Sequence, residues 1–478
     1  MRRTATELRP YLRSDDRIGR RFLESAATMH SPQAGSLDDV RAWLAERAAH
    51  DAPAIHRLPL AELDDWNISP VTGDLRHDSG AFFRIGGLKV ESPDTPVTSW
   101  GQPIIHQPEI GILGILVKQI DGVLCLLMQA KMEPGNVNTV QLSPTVQATR
   151  SNYRRVHGGS ATRHLDYFAD LAGGRVLVDV LQSEQCSIFY KKRNRNMIVE
   201  VTEDIPIDDS YRWLTLGQVR TLLNENNVVN MNTRSVLSNL PLNALSNEKE
   251  ARDDTFSAAM LASLADQDYT LEVQNWFNHI KGSAVFAADP VPLKELADWK
   301  RSEMDVSHRS GRFFSVIGIS VGSAGREVAS WHQPLIAPHG QGVVAFLVSR
   351  ARGRLEVLVQ AKIEAGTRDV AELSPTVQGI PESYGDLPSA ARPRFLDLVL
   401  SAKPEQIRYD TVLSEEGGRF YHAQHRYMVV EVGADVRDET PPPNYHWATM
   451  GQLAELIRHS GYVNIEARTL IAGMHTLW

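Results

Sequence analysis

The sequence predicts a mixed-sheet α+β protein, an α/β sandwich built twice in tandem. Three observations predict it. Strings recur at a constant separation: Gln129-Ala130-Lys131 returns as Gln360-Ala361-Lys362, and Leu142-Ser143-Pro144-Thr145-Val146-Gln147 as Leu373-Ser374-Pro375-Thr376-Val377-Gln378, both 231 positions later. Each copy carries the same order of apolar strand-like runs and capped helices. Strands and helices do not alternate strictly, which argues against a parallel doubly wound sheet.

The elements follow in order. A helix opens each copy, with Ser36 capping Leu37–Ala49 and Thr270 capping Leu271–Lys281. Two apolar runs, Ile110–Gln119 and Val123–Gln129, flank Asp121-Gly122, a hairpin turn signal. Their counterparts are Val343–Ser349 and Leu355–Gln360 around Gly353. The later strands Arg175–Leu181 and Ile188–Val201 are matched by Gln406–Leu413 and Phe420–Val432. A helix capped by Thr215 or Thr449 then closes each copy. Trp43 and Trp66 pair with Trp276 and Trp299, and Asn230 and Arg234 with Asn464 and Arg468, so small insertions shift the register. The expected domains are residues 1–240 and 256–478, joined by a polar linker at 241–255.

Composition narrows the function. A net charge of −8 offers no basic field for nucleic acid, so a locally basic stretch must serve something small and anionic. The longest apolar run, about residues 110–117, is far shorter than a membrane span, and no apolar run follows Met1-Arg2-Arg3. Cys125 and Cys186 read as free buried thiols, which suits a reducing cytoplasm. Neither a glycine-rich nicotinamide turn opening a helix, nor a P-loop, nor cysteine–histidine metal spacing occurs, so no cofactor and no metal are expected.

Many of the repeated residues are polar, which a core alone would not require. In Phe189-Tyr190-Lys191-Lys192-Arg193-Asn194-Arg195, a strand would place Phe189, Lys191, Arg193 and Arg195 on one face. Such crowding suits a diphosphate, which arginine binds bidentately; a solvated, charge-protected edge strand is the other reading. The second copy keeps Arg426 for Arg195 and puts His422, which titrates near neutrality, in place of Lys191. Glu184 and Glu415 stand just before Tyr190 and Tyr421, and fit a general base, a ribose-hydroxyl acceptor or a salt bridge. Lys131 shares a strand face with Glu133, as Lys362 does with Glu364. Proline stiffens the loops carrying Ser143, Thr145 and Gln147, and Ser374, Thr376 and Gln378; these could hold a pyrimidine or sugar, or form a buried turn. Trp100 with Gln102, Trp331 with Gln333, and the repeated Tyr153 and Tyr384 complete the candidate substrate-binding set. His106, Gln107 and Glu109 become Ala337, Pro338 and Gly340 in the second copy, which favours the first as the working one.

The repeated strings, with Gln182-Ser183-Glu184-Gln185, Lys191–Val201 and Glu415–Glu431, resemble the NDP-hexose 2,3-dehydratases of deoxysugar biosynthesis over nearly the whole chain. The resemblance implies two Nudix-like domains per subunit and a homodimer. It implies a dTDP-linked 4-keto-6-deoxyhexose substrate that loses its C2 hydroxyl without a cofactor, and a downstream 3-ketoreductase that consumes the product. The Nudix metal box GX5EX7REUXEEXGU is absent: after Glu133-Pro134-Gly135 the chain continues as Asn136-Val137-Asn138-Thr139. The diphosphate should therefore stay intact. The chemistry calls for a base at C3, donors to an enolate oxygen and an acid at the C2 hydroxyl. The expected catalytic sets are Glu184, Tyr190 and Lys131 in the first copy, and Glu415, Tyr421 and His422, with Lys362, in the second. A nucleotide-sugar pyrophosphohydrolase and a non-catalytic nucleotide-sugar binding protein are the alternatives.

Overall fold

The computed structural model describes residues 16–149, 162–171, 173–241, 255–322, 330–350, 353–385 and 387–478. Tyr153 and nearly all of the expected linker lie outside the described residues. The first repeat contains helices α1 (Asp16–Ala26) and α2 (Leu37–His50), then strands β1 (Ala54–Leu58), β2 (Trp66–Ile68), β3 (Leu75–His77), β4 (Arg84–Glu91) and β5 (Ser99–His106). There follow β6 (Gly111–Ile120), β7 (Val123–Met132), β8 (Val140–Ser143), β9 (Val146–Ala148), α3 (Asp166–Ala169), β10 (Arg175–Ser183), β11 (Arg193–Glu200), β12 (Tyr211–Thr215), α4 (Leu216–Leu222) and α5 (Met231–Leu237). The second repeat reproduces the order: α6 (Phe256–Ala265), α7 (Thr270–Ser283), β13 (Ala287–Val291), β14 (Trp299–Arg301), β15 (Asp305–His308), β16 (Phe314–Gly322) and β17 (Ser330–Pro338). It continues with β18 (Gly342–Ser349), β19 (Glu356–Lys362), β20 (Glu372–Ser374), β21 (Val377–Gly379), α8 (Leu396–Leu400), β22 (Ile407–Ser414), β23 (Gln424–Glu431), α9 (Ala434–Asp438), β24 (Tyr445–Thr449), α10 (Met450–Leu456) and α11 (Ile465–Met474).

Each repeat has a seven-stranded mixed sheet. In the first, β6 runs parallel to β11 and antiparallel to β7, and the hairpin turn puts both Asp121 (φ 47°) and Gly122 (φ 84°) in the left-handed region. β7 shows why the sheet is buried on both faces. Leu124, Leu126 and Met128 pack with α1 and α4, while Cys125 and Leu127 face α3. Cys125 and Cys186 are buried free thiols. Thr215 and Thr449 cap α4 and α10 through complete capping boxes with Gln218 and Gln452. Thr270 is the first helical residue of α7 and not its cap; Tyr269, at φ 58°, precedes it. Gly318-Ile319-Ser320-Val321-Gly322 has the spacing of a serine-nucleophile motif, but it lies inside β16, laddered to β1 and β17, without the strand-to-helix elbow such chemistry needs. Among the described residues, no helix is long and apolar enough to cross a membrane.

The two repeats exchange strands. β1 of the first pairs with β16 of the second, and β13 of the second pairs with β4 of the first. Each five-stranded small sheet thus contains one strand from the other repeat. The indole N–H of Trp66 donates to the His332 carbonyl (2.9 Å), and that of Trp299 to the Gly101 carbonyl (2.8 Å). The small sheets share a single core in which Ile85, Ile105 and Phe189 meet Val316, Ile336 and Phe420.

The large sheets are also tied together. Gly135 N–H donates to the Gly417 carbonyl (2.7 Å) and receives the His422 N–H on its own carbonyl (2.7 Å). Gly366 does the same with Cys186 (2.6 Å) and Lys191 (2.8 Å). A Cβ on Gly135 would stand 1.6 Å from the Phe420 carbonyl oxygen, and one on Gly366 would stand 1.9 Å from that of Phe189. Only glycine permits these crossings. Gly135→Ala should therefore lower stability by about 3 kcal/mol or more, read as a fall in denaturation midpoint. Gly282→Ala, with nothing within 4 Å of the added Cβ, should not lower it. Equal midpoints for the two variants would contradict this packing.

Candidate active site

The loops Ser183–Lys192 and Ser414–Ala423 carry most of the residues expected to act, and each reaches across to the other repeat. The strands expected to begin at Ile188 and Phe420 instead begin at Arg193 and Gln424. Lys191 (φ 54°) and His422 (φ 51°) are left-handed, because their N–H groups go to Gly366 and Gly135 and not to a ladder. Phe189, Lys191, Arg193 and Arg195 therefore do not form one strand face.

Several expected ligands are engaged elsewhere. Arg195 grips Asp179 with Nε and Nη2 (2.7 and 2.6 Å), and Arg426 grips Asp410 likewise (2.8 and 2.6 Å). The fork geometry commits these partly exposed arginines to their own strand pair. Thr145 Oγ1 donates to the Leu127 carbonyl (2.5 Å) and accepts from Leu116 N (2.9 Å); Thr376 is bonded to the Leu358 carbonyl and Leu347 N in the same way. Both threonines stitch the sheet. Trp100 donates to Gln102 (2.9 Å), which donates to the Ser187 carbonyl (2.7 Å). Trp331 donates to Gln333 (2.9 Å), which holds the Gly418 carbonyl (2.9 Å). These pairs anchor the two loops. Tyr190 Oη donates to the Ala288 carbonyl (3.4 Å), and its ring lines a cavity of about 210 Å³ with Arg76, Arg84 and His106. Tyr421 is stacked on His422 at 4.0 Å, and burial lowers the His422 pKa.

Other expected residues do come together, at the ends of β7 and β9. Gln147 Nε2 donates to Glu133 Oε1 (2.6 Å), and Lys131 Nζ donates to the Gln147 carbonyl (3.0 Å). Asn230 caps α5 with its oxygen, leaving its amide N–H groups for Gln147 (3.0 Å) and the buried Ser143 (2.9 Å). The second repeat builds the same floor: Gln378 to Glu364 (3.1 Å), Asn464 to Gln378 (2.9 Å) and Lys362 to the Gln378 carbonyl (3.1 Å). Ser374, also buried, turns its hydroxyl to the Pro375 carbonyl (3.1 Å). Burial raises the Tyr384 pKa, with Lys362 and Glu364 among its charged neighbours.

The second repeat's loop brings Glu416 and Arg419 into the electrostatic field of the first floor. Burial pushes the Glu416 carboxyl up to about 8, against the charges of Arg419 and Lys131 and with those of Glu133 and Glu184 adding. Arg419 lies over the Phe83 ring at 4.1 Å, and its Nε has no partner among the described residues. Burial lowers the Lys192 ammonium to about 8, although Glu184 opposes the shift; its Nζ donates to the Glu109 carbonyl. Burial raises the Glu184 pKa; one of its oxygens receives Asn194 Nδ2 and the other has no partner among the described residues. Glu415 differs: its two oxygens receive Gln185 Nε2 (2.8 Å) and Tyr427 Oη (2.8 Å).

The NDP-hexose 2,3-dehydratase family model matches residues 37–240 and again 270–474. The chain belongs to that family. It is 48% identical over 96% of its length to a dTDP-4-dehydro-6-deoxy-alpha-D-glucopyranose 2,3-dehydratase of Saccharopolyspora spinosa, covering 95% of that protein. Proteins of the same name from Amycolatopsis orientalis and Streptomyces violaceoruber are 46% and 47% identical, over 95% and 91% of this chain and 93% and 96% of their own.

In this NDP-hexose 2,3-dehydratase the floors are alike and their covers are not. Where the first floor meets Glu416, Arg419 and Lys192, the equivalent positions around the second are Gln185, Ile188 and Ala423. Sequence reasoning missed Glu416 and Arg419. The available signal was the mismatch inside a repeated string, Ser183-Glu184-Gln185 against Ser414-Glu415-Glu416. If Arg195 serves only its strand pair, Arg195→Leu should change kcat/KM less than twofold. A double-mutant cycle with Asp179→Leu should give a coupling of about 0.5–1 kcal/mol. A tenfold rise in KM for Arg195→Leu would return it to the substrate.

Proposed function

We propose that this chain is a hydro-lyase that removes the C2 hydroxyl of dTDP-4-keto-6-deoxy-D-glucose, at the floor of the first repeat, giving a 3,4-diketo-2,6-dideoxy sugar nucleotide. End-to-end similarity at 46–48% identity to three proteins bearing that activity as their name carries the reading. Acids and cations with displaced pKa values gathered on one floor support the placement. The doubled mixed sheets are compatible with a Nudix-like ancestry for each repeat, and we extend the proposal to a homodimer whose product passes to a 3-ketoreductase.

The C4 ketone acidifies the C3 proton. In this reading the Glu133 carboxylate, aimed by Gln147, takes that proton, and Lys131 and Arg419 stabilise the enolate oxygen. Glu416, held protonated up to about 8, gives its proton to the departing C2 hydroxyl, so that water leaves. The resulting C3 enol tautomerises to the diketone by returning a proton to C2. Each acid or base contributes on the order of 10²–10⁴-fold, and an oxyanion donor about 10²–10³-fold. In this reading Glu184, whose second oxygen has no partner among the described residues, receives a sugar hydroxyl.

Incubation with dTDP-4-keto-6-deoxy-D-glucose in D₂O, with the product trapped by a 3-ketoreductase and NADPH, should show loss of the C2 hydroxyl and deuterium at C2. An unchanged hexose, or release of dTMP, would refute the assignment. Because Glu416 acts in its protonated form, kcat should fall as pH rises through about 8. Glu416→Gln should lose about 10²-fold or more and lose that alkaline limb. An unaltered pH profile in the variant would remove Glu416 from the mechanism.

A further inference from the structure

A cavity of about 290 Å³ opens between the repeats, against Ser183, Cys186 and Lys191 of the Ser183–Lys192 loop. Lys191 and Arg193 of the first repeat and Arg368 of the second line it, and so does Lys192, whose Nζ is committed to the Glu109 carbonyl. Two carboxylates are also present, and both are committed. Asp369 is paired with Lys281 (2.8 Å), and Glu372 receives the Ser183 hydroxyl (2.7 Å). Burial raises the Glu372 pKa, which weakens it further as a counter-charge. The Arg193 pKa is lowered by burial and then by the Arg368 charge, so the two guanidinium groups press on each other across the boundary. Like charges from separate chain segments are held together at a cost unless an anion joins them.

Duplication supplies a control. At the equivalent positions Lys191, Arg193 and Arg368 become His422, Gln424 and Val137, and Asp369 and Glu372 become Asn138 and Gln141. The cations therefore belong to this cavity and are not an inherited feature of the repeat. Its volume lies at the lower end of ligand pockets, roughly 300–1,000 Å³, which suits a headgroup better than a whole nucleotide sugar.

We propose that this cleft is a diphosphate-binding site formed jointly by the two repeats, with Arg193 and Arg368 as its forks and Lys191 as the third cation. The diphosphate is either that of the substrate nucleotide, in which case the inference rests on the dehydratase reading, or that of a second, separately bound molecule.

Isothermal titration of the full-length protein with inorganic pyrophosphate tests the site without turnover, so its result stands apart from the dehydratase assay. Wild type should bind, more weakly as salt rises, and Arg193→Ala/Arg368→Ala should bind at least tenfold more weakly with an unchanged circular dichroism spectrum. Arg368→Lys should recover part of the loss. If dTDP at saturation abolishes pyrophosphate binding, the substrate's diphosphate is the occupant; if pyrophosphate still binds with unchanged affinity, a second molecule is. No binding by wild type, or equal binding by the folded double variant, overturns the site.

Discussion

Two buried arginines hold the molecule together at its centre. Among the described residues, Arg234 and Arg468 are the largest side chains with no solvent exposure. Each reaches from a helix of one repeat to the carbonyl that precedes the other repeat's glutamate: Arg468 to Ser183 (2.5 Å) and Arg234 to Ser414 (2.6 Å). Each also holds the carbonyl of Val463 or Val229 beside its own helix cap (2.6 and 2.9 Å). A guanidinium taken out of water is costly, and burial lowers both pKa values. The cost is tolerable only because the fork finds acceptors, and removing one partner of such a network costs about 3–5 kcal/mol. The positions of Glu184 and Glu415 follow from this clamp, since each is the next residue along.

The clamp explains why the repeats cannot be treated as beads on a string. Strand exchange gives the small sheets a common core, glycine crossings bond the large sheets, and the arginines join the polar interior. Gln141 donates to Ser414 (2.6 Å) where Glu372 accepts from Ser183 (2.7 Å), so even the polar contacts obey the pseudo-twofold. The Ser183–Lys192 and Ser414–Ala423 loops are each held by their own repeat through a Trp–Gln relay and by the other repeat through a glycine. A loop held from both sides loses little conformational entropy when substrate binds.

Much of this was legible in sequence, and the division is physical. Caps, the hairpin turn and the doubled order depend on neighbours in the chain, so Thr215, Asp121-Gly122 and the repeated strings announce them. The floor was partly legible because Lys131 and Glu133 alternate on one strand. The Asp179–Arg195 pair was in view, since both residues recur 231 positions later, but a kept arginine read alone suggests a phosphate before it suggests a strand partner. What could not be read were contacts between residues of different repeats. Lys191 looks like strand until Gly366 takes its N–H, and Glu416 looks like surface until it is brought towards Glu133.

Divergence between the copies then acquires a mechanism. Burial drives the Glu416 carboxyl up to about 8, and the charges of Glu133 and Glu184, reaching it from the first repeat, add to that shift. Replacing Glu416 by Gln185, and Arg419 by Ile188, removes that conflict of charge from the second floor. Concentrating buried charge on one floor is destabilising, and having it twice would double the penalty without a second reaction to justify it. Neither repeat contains the complete set of acid, base and cation. In the proposed reaction the working unit is therefore the pair, since the base comes from one repeat and the acid from the other.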